Sequence, residues 1–340
     1  MEDNIALRRS IAQKKSKFQA SKIKDALCES GIMLLTICSS LVVIFIFGFI
    51  LIKAWRVFTI NGLDFIITKG FDVQISRAYH ADAAHPYWKF GAAGLILGSI
   101  ATTLGALAIA LPMGLGTAIV ITELAPSWMR KVLQSVVRLL ASIPSIIYGL
   151  IGLLVIVPFI TKYFVTVDMQ VKYIKYFQID GKSLLAGILV LSIMIVPMII
   201  TLSVDAINAV PKKYKEASVA LGISHWRTII KVIIPAAKSG ILAGVILAVG
   251  RALGEAVALS MVGGGIGNIP NPANGLVFFL TPVLTLASAI VNKSEAMSVP
   301  AVNSALFACG VALLITCVSL SLFTKLVEHI ITRREGGSHG

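Results

Sequence analysis

Two charged residues, Arg251 and Glu255, stand four positions apart inside the apolar run GILAGVILAVGRALGEAVALSM. An arginine near the centre of a bilayer costs about 2.5–3.5 kcal/mol on insertion scales, so some interaction must offset that cost. The guanidinium carries a planar fork of N–H donors that matches a tetrahedral oxyanion. The pair therefore predicts a stop on an anion pathway through the membrane, with Glu255 holding Arg251 while the site is empty. The alternative is a structural ion pair that satisfies only itself.

A carboxylate beside an arginine can also select among oxyanions. Phosphate near neutral pH keeps a P–OH donor in part of its population, whereas sulfate has none. Glu255 can therefore accept a hydrogen bond from phosphate and repel sulfate. Four residues of the run fall within an arc of about 60° at 100° per residue, namely Gly240, Gly244, Arg251 and Glu255. Because small residues let helices approach closely, the charged face is predicted to be a helix-packing face as well.

A polar, basic segment, EASVALGISHWRTIIKVIIP from Glu216 to Pro235, separates two long apolar runs. Pro211 suits the first position of a helix, and good helix formers follow it as far as Leu221. Gly222 can adopt the left-handed conformation that ends a helix, and Ser224 can cap the next helix. The pattern predicts two short helices joined by a sharp glycine turn. One side of the first helix is predicted to carry Tyr214, Ala217, Ser218 and Leu221, and the second helix to have an apolar stripe of Trp226, Ile229, Ile230 and Ile233.

This basic hairpin, residues 211–235, is predicted to bind another protein. Glu216 and the small residues Ala217 and Ser218 make a poor lipid-facing surface but a good knob for a protein cleft. Pro235 is expected to mark the start of the next span. The alternative is an amphipathic hairpin that lies flat among lipid headgroups.

Apolar runs long enough to cross a membrane recur along the 340 residues. With 57% hydrophobic and 14% charged residues and a mean hydropathy of +0.89, the chain is too apolar for a soluble domain. A bilayer core of about 30 Å needs roughly twenty apolar residues per helix. Six spans are predicted: Ile32–Ile52, Phe90–Ile121, Leu139–Ile160, Leu184–Leu202, Ser239–Val262 and Ala301–Phe323. Pro144 is expected to kink the third of them. A seventh run, Gly275–Val291, is short and contains Pro282, so it is predicted to be a re-entrant segment that lines a cavity.

The distribution of Lys and Arg predicts the orientation. If Phe90–Ile121 is one helix, most of the 30 Lys and Arg residues fall on one side, so both termini are predicted to be cytoplasmic. The predicted organisation is a basic cytoplasmic segment (1–30), a first transmembrane helix with an extracytoplasmic loop (31–89), a transmembrane domain (90–328) with a cytoplasmic loop (207–236), and a disordered cytoplasmic tail (329–340). The net charge of +14 lies in short segments that flank apolar runs. Membrane lipid is therefore a predicted partner and nucleic acid is not.

The basic hairpin resembles the EAA loop of ABC-type importer permeases, with Glu216, Ala217 and Ser218 followed by Gly222. The stretches GRALGEAVAL and LLASIPSIIYGLIGLLVIVPF are similar, more narrowly, to the PstC-type permeases of phosphate ABC importers. The resemblance covers roughly residues 90 to 324. It implies an all-α polytopic membrane protein of the MetI-like fold, with six transmembrane helices in the cell membrane.

The same resemblance implies roles and partners. Arg251 and Glu255 match intramembrane transport residues, while Glu216, Ala217 and Gly222 match positions that dock into a groove on the nucleotide-binding subunit. The implied partners are a second, PstA-type permease, a cytoplasmic PstB-type ATPase dimer and an extracytoplasmic PstS-type phosphate-binding protein. The chain itself is predicted to carry no catalytic residues, metal site or cofactor.

Two alternative transporter functions agree with part of these predictions. An importer of another oxyanion, such as sulfate or molybdate, would share the architecture and differ in cargo. An ion-driven secondary transporter would need no docking hairpin and predicts inverted repeats, which the sequence does not show.

Overall fold

The computed structural model describes residues 2–82, 85–174, 177–269 and 275–336, with side chains between residues 29 and 326. In chain order its helices are α1 Glu2–Asn61, α2 Asp64–Ile67, α3 Phe71–Tyr79, α4 Ala93–Ile119, α5 Ser127–Ala141, α6 Ser145–Ile151, α7 Val157–Phe164, α8 Val167–Tyr173, α9 Leu184–Asn208, α10 Lys212–Ala220, α11 His225–Thr228, α12 Ile234–Leu253, α13 Val257–Val262, α14 Leu276–Leu280, α15 Leu286–Asn292 and α16 Pro300–Gly336. The π-helical turns Val120–Leu124, Gly152–Ile156 and Ile229–Ile233 continue α4, α6 and α11, and a 3₁₀ turn, Ser294–Ser298, precedes α16.

Six helical stretches among the described residues are long and apolar enough to cross a membrane. They are Glu29–Asn61, Ala93–Leu124, Ser145–Phe164, Leu184–Asn208, His225–Leu253 and Pro300–Leu326. The predicted number of spans is confirmed. The chain divides into two compact units, Met1–Ile52 and Lys53–Gly340.

The first unit is a single helix, the first part of α1. Its apolar side chains are exposed around the helix, among them Ile32, Leu35 and Phe45, which is typical of a helix surrounded by lipid. The predicted span ended at Ile52, but α1 continues to Asn61. The reason is packing, because the last turns of α1 bury Ala54 and Val57 in the core of the second unit. Between Ile52 and Gly62 the sequence contains no glycine or proline that would end the helix.

The segment between α1 and α4, predicted as a long outer loop, is folded in the second unit. Phe65 and Phe71 are buried and belong to one hydrophobic cluster with Leu286 and Leu306. Asn61 ties both ends of the segment together: its Nδ2 donates to the Trp88 carbonyl at 2.9 Å, and its Oδ1 accepts from the Phe90 N–H at 3.0 Å. These contacts make the segment part of the bundle.

Helices α4 and α9 pack along their lengths through small residues on α4. A Cβ on Gly105 would lie 2.5 Å from Ile188 Cδ1, and one on Gly114 would lie 2.6 Å from Ile199 Cγ2. Such contacts leave room for hydrogen only, as is common where membrane helices approach closely. Pro112 lies inside α4 without ending it, so the prediction of one long helix is confirmed.

The third span begins later than predicted. Leu139 belongs to α5, which ends at Ala141, and the span Ser145–Phe164 starts after a break of three residues. Pro144 disfavours helical backbone in the residue before it, so the expected kink is a complete break. The Tyr148 hydroxyl donates to the Leu140 carbonyl at 2.7 Å and satisfies one of the carbonyls that the break leaves free.

The segment Gly275–Val291 is not one helix. It forms α14 and α15 on either side of an extended, buried stretch from Thr281 to Thr285. Polar backbone atoms of this stretch have partners, because the Leu184 N–H donates to the Thr281 carbonyl at 2.9 Å and Thr285 caps α15 with a capping box. Irregular backbone at membrane depth is tolerated when protein encloses it in this way.

At the other end of the chain, α16 continues to Gly336, so the predicted tail begins as helix and not as disordered chain. The segment between Lys325 and Gly336 contains good helix formers, and the glycine pair that follows Glu335 is the first helix-breaking signal. Residues 337–340 lie outside the described ranges.

Candidate functional site

The fifth span breaks at the charged pair. The predicted helix from Ser239 to Val262 is in fact α12 and α13, separated by Gly254, Glu255 and Ala256. Glu255 therefore lies beyond the end of the helix that carries Arg251, and the spacing of four no longer places the two side chains on adjacent turns. Among the described residues, no ion pair joins Arg251 to Glu255. The prediction that Glu255 holds Arg251 in the empty site is therefore wrong, and the alternative, a self-satisfying ion pair, is also absent from the described residues.

The two side chains have different surroundings. Glu255 is half-buried, and its Oε1 accepts the Ala258 N–H at 3.0 Å, so the carboxylate caps the first turn of α13. Arg251 is exposed, and within the described part of the chain its guanidinium has no hydrogen-bond or ion-pair partner. An open guanidinium with all its donors free is chemically suited to bind an anion.

The predicted helix-packing face and the arginine face are also separate. A Cβ on Gly240 would lie 2.7 Å from Ala206 Cβ, and one on Gly244 would lie 2.8 Å from Leu202 Cβ. Both glycines therefore face α9, whereas Arg251 remains exposed on α12. The prediction of one shared face was wrong, because the position of the neighbouring helix decides burial and the helical angle alone does not.

Tyr148 is a residue of this site that the sequence analysis missed. The Arg251 guanidinium lies close enough to Tyr148 to act electrostatically on its hydroxyl. The two are brought together by the contact of α6 with α13, where a Cβ on Gly149 would lie 2.9 Å from the Ala258 Cα. The sequence signal was the stretch IPSIIYG, which belongs to the resemblance to PstC-type permeases, but its tyrosine was given no role.

The basic hairpin has the predicted helix–turn–helix geometry. Helix α10 ends at Ala220, and Gly222 has φ of 75°, in the left-handed region. The Ile223 N–H donates to the Ser218 carbonyl at 3.2 Å and the Gly222 N–H to the Val219 carbonyl at 2.9 Å. This pair of bonds is a Schellman motif, which satisfies the carbonyls at the helix end. The predicted glycine turn is confirmed.

Ser218 holds the two arms of the hairpin together. It is buried, and its Oγ lies 2.9 Å from Oγ1 of Thr228 on α11. Ser224 stands at the N-cap of α11 as predicted, but its side chain makes no capping hydrogen bond. Pro235 lies in the first turn of α12, but the helical stretch long enough to span already begins at His225, so the prediction that Pro235 marks the start of the span was wrong.

The outer surface of the hairpin is open. Glu216 and Ala217 are exposed, and so are several apolar side chains, namely Tyr214, Val219, Leu221 and Trp226. Leu221 is 80% exposed, and with its exposed apolar neighbours it marks a candidate interaction surface. The predicted stripe on the second arm is divided, since Ile229 and Ile233 are buried against the bundle whereas Trp226 and Ile230 face outward.

Lys215 links the hairpin to the end of α4, a contact between residues far apart in the sequence. Its Nζ lies 2.5 Å from Oε2 of Glu123, a carboxylate that is 9% exposed. The side chain of Arg130 donates to the Thr122 carbonyl in the same region. These residues line a polar cavity of about 280 Å³ that reaches Glu216. The hairpin and the segment 122–138 therefore lie at the same end of the bundle, as the charge distribution predicted.

No cluster of metal ligands accompanies these features: in the ranges that the structure describes, no three His, Cys, Asp or Glu side chains lie together as a metal site would require.

Comparison with known proteins identifies the family. Residues 110–333 match the family described as the binding-protein-dependent transport system inner membrane component. The chain belongs to this family. It is therefore a multi-pass inner-membrane permease, and the predicted fold class, an all-α ABC importer permease with six spans, is confirmed. A component of such a system works with partner subunits, which agrees with the predicted need for them.

Relatives of the permease extend over most of the chain. A probable ABC transporter permease protein of Bacillus subtilis, YqgH, is 33% identical over 98% of this chain and 98% of its own length. The phosphate transport system permease protein PstC of Pasteurella multocida is 36% identical over 86% of this chain and 90% of its own length. Among solved structures, an inward-facing form of the MetNI methionine ABC transporter is 17% identical, with a TM-score of 0.42, and covers 71% of this chain and 92% of that chain.

Proposed function

We propose that this permease forms half of the translocation pathway of an ATP-driven phosphate importer. The observation that carries the proposal is the open Arg251 guanidinium at the break in the fifth span, in a chain of the binding-protein-dependent transport family. A cation that is exposed within a span and lacks a partner in the described chain needs an anion to offset its insertion cost. The names of relatives such as PstC of Pasteurella multocida support phosphate as that anion.

Phosphate binding at Arg251 would use both its charge and its geometry. The guanidinium can donate two parallel hydrogen bonds to two oxygens of one tetrahedral anion. Glu255 lies beyond the break, with one oxygen engaged by the Ala258 N–H. Its second oxygen can accept the P–OH of a protonated phosphate, and the negative charge of the group opposes sulfate.

In this proposal, a separate PstB-type subunit hydrolyses ATP and binds the basic hairpin. Glu216 and Ala217 offer a small exposed knob, and the apolar surface around Leu221 is suited to a protein groove. Ser218 and Gly222 fix the shape of this exposed surface. Pro235 lies in the first turn of α12, so a movement of the hairpin would also move α12. The ion pair of Lys215 with Glu123 connects the same motion to α4.

The remaining subunits follow from the architecture. A PstA-type permease would supply the other half of the pathway and cover the exposed side of α12. A PstS-type phosphate-binding protein would deliver the anion at the end opposite to the hairpin. Transport would then proceed by alternating access, with the spans moving as packed bodies when the ATPase dimer closes.

Co-expression with the partner genes and purification in mild detergent tests the assembly. We expect a permease of a second type and an ATPase to copurify with the tagged chain. The assembled transporter, reconstituted in vesicles with binding protein and internal ATP, should take up radiolabelled phosphate, and excess sulfate should compete poorly.

Replacing Arg251 tests whether its open guanidinium binds the transported anion. Arg251→Ala should reduce phosphate uptake by about ten- to a hundredfold, as expected for losing charged hydrogen bonds of about 1.5–3 kcal/mol, while the subunits still copurify. Arg77→Ala is the matched control, because Arg77 is exposed on α3 outside the spans. Unchanged uptake by an assembled Arg251→Ala transporter would refute the anion role, and preferred uptake of sulfate or molybdate would refute the cargo.

A further inference from the structure

The segment that follows α13 is a glycine-rich loop, residues 263–269, with the sequence GGGIGNI. Gly264 and Gly265 have φ of 93° and 70°, a region that side chains rarely adopt. The loop begins directly after α13, the helix that Glu255 caps, so its position affects the end of the candidate pathway. Glycine backbone has great conformational freedom. The position of the glycine-rich loop must therefore be set by contacts with other elements.

One of those contacts comes from Asp72 on α3, 195 residues away in the sequence. Its Oδ2 accepts the Gly267 N–H at 2.5 Å, and its Oδ1 lies 3.2 Å from Nζ of Lys293. One carboxylate thus bridges the glycine-rich loop and the residue that follows α15. Hydrogen bonds to an ionised acceptor are shorter and stronger than neutral ones. The bridge is therefore a specific restraint on the loop.

Asp72 is itself held by a rigid support. Phe71 and Ile75 on either side of it are buried, which fixes the rotation of α3. The Gly91 N–H donates to Oε1 of Gln74 at 2.7 Å, which ties α3 to the chain entering α4. On α4, a Cβ at Gly94 would collide with the Gly267 carbonyl, so the loop rests directly on the helix.

We propose that Asp72 is a positioning residue that latches the glycine-rich loop at the end of the bundle opposite to the basic hairpin. The ends are distinguished by α4, whose start contacts the loop through Gly94 and whose continuation reaches Lys215 through Glu123. Helices α2 and α3 lie outside residues 110–333, the part of the chain that matches the family. The latch does not depend on which anion is carried.

Water can reach both contacts of Asp72. The side chains of Asp72 and Lys293 are 21% and 28% exposed, so water can replace both contacts when the loop moves. The pair lines a groove of about 260 Å³ together with Ser76, His80 and Glu295. A restraint that is specific but reachable by water holds the loop in one position and still allows release during each cycle.

The rate at which a cysteine in the glycine-rich loop reacts with a maleimide measures how accessible the loop is. Ile266, at 37% exposure, is changed to Cys in a chain in which Cys28, Cys38 and Cys317 are replaced by Ser and Cys309 is kept. The fully assembled transporter is treated with a water-soluble maleimide, and the labelling rates at positions 266 and 309 are determined by peptide mass spectrometry. Cys309 is buried, so it reports general loss of packing.

We expect Asp72→Ala to increase the labelling rate at position 266 by about tenfold, because losing a charged hydrogen bond raises the population of the open loop by that order. Asp72→Asn, which has the same size but loses the ion pair, should give a smaller increase. The labelling rate of Cys309 should not change. Asp64→Asn on α2 is the matched control, since in the described part of the chain the Asp64 side chain has no hydrogen bond or ion pair.

Exchanging the charges of Asp72 and Lys293 separates the effect of their ion pair from that of the hydrogen bond between Asp72 and Gly267. Asp72→Lys combined with Lys293→Asp can restore an ion pair, but a lysine cannot accept the Gly267 N–H. We expect fast labelling at position 266 to persist in this double variant. Unchanged labelling in Asp72→Ala, slow labelling in the exchanged pair, or an equal rise at positions 266 and 309 would each overturn the positioning role.

Discussion

At the scale of single residues, Arg251 and Glu255 differ in what the fold requires of them. Glu255 makes a local hydrogen bond that caps α13, whereas Arg251 has no hydrogen-bond or ion-pair partner among the described residues. A charged group that costs free energy to place and has no partner among the described residues is best explained by a ligand or a partner subunit. Structural and transport roles can therefore be separated by substitution.

Glu255→Gln should leave assembly and thermal stability unchanged, because the amide oxygen can still accept the Ala258 N–H. Removing the negative charge should raise sulfate uptake relative to phosphate uptake in reconstituted vesicles. The measurement is the ratio of the two initial rates at equal anion concentration. A ratio equal to that of the unmodified chain would show that the carboxylate does not select the cargo.

Glu255→Ala removes the cap as well, which typically costs about 0.5–2 kcal/mol. We expect the Tm of the purified transporter to fall in this variant and not in Glu255→Gln. Equal Tm values for the two variants would contradict the capping role.

At the scale of elements, the basic hairpin owes its shape to the backbone at one position. Gly222 has a left-handed φ, yet no atom lies within 4 Å of where its Cβ would be. Its conformation and not its small size is therefore what the turn requires.

Gly222→Ala should strain the turn by roughly 1–2 kcal/mol and change the relative position of α10 and α11. We expect less ATPase to copurify with this variant, with insertion into the membrane unchanged. Gly116→Ala on α4 is the control, because Gly116 also has open space around it but a helical backbone. Equal recovery of ATPase from both variants would show that the turn geometry does not matter for docking.

The contact of α4 with α9 depends instead on the size of a side chain. Gly114 and Gly116 lie two residues apart on α4, but only Gly114 faces α9, where a Cβ would lie 2.6 Å from Ile199 Cγ2. Gly114→Ala should destabilise the chain by about 1–3 kcal/mol through overpacking. We expect a lower Tm for Gly114→Ala in detergent and no decrease for Gly116→Ala. A similar Tm for both would mean that α9 moves to accommodate the methyl group.

At the scale of the whole molecule, α4 connects the two functional ends of the bundle. Its start lies under the glycine-rich loop, and its continuation ends at Glu123, which pairs with Lys215 on the hairpin. The hairpin and the loop therefore lie at opposite ends of the candidate span Ala93–Leu124.

Labelling from one side of the membrane tests this arrangement. In intact cells, a membrane-impermeant maleimide should react with Leu63→Cys, next to α2, and not with Leu221→Cys on the hairpin. Both positions are highly exposed, at 74% and 80%, so the side of the membrane alone decides their reactivity. Inverted vesicles should reverse the result. Reaction of Leu221→Cys in intact cells would place the hairpin outside and end the proposed coupling to an ATPase.

The sequence by itself determined the six spans and the hairpin, because both depend on neighbouring residues. The length of an apolar run sets a span, and the glycine at position 222 sets a turn whatever the rest of the chain does. Span ends were predicted less well where a proline or packing intervened, as at Pro144 and at the continuation of α1 to Asn61.

Only the tertiary structure decided which side chains meet. The break after Leu253 removed the ion pair that the spacing of Arg251 and Glu255 predicted. Contacts such as Asp72 with Gly267 and Lys215 with Glu123 join residues that no local pattern relates. The physical reason is that helix formation follows from near neighbours in the chain, whereas the burial and pairing of a side chain depend on which distant helix packs beside it.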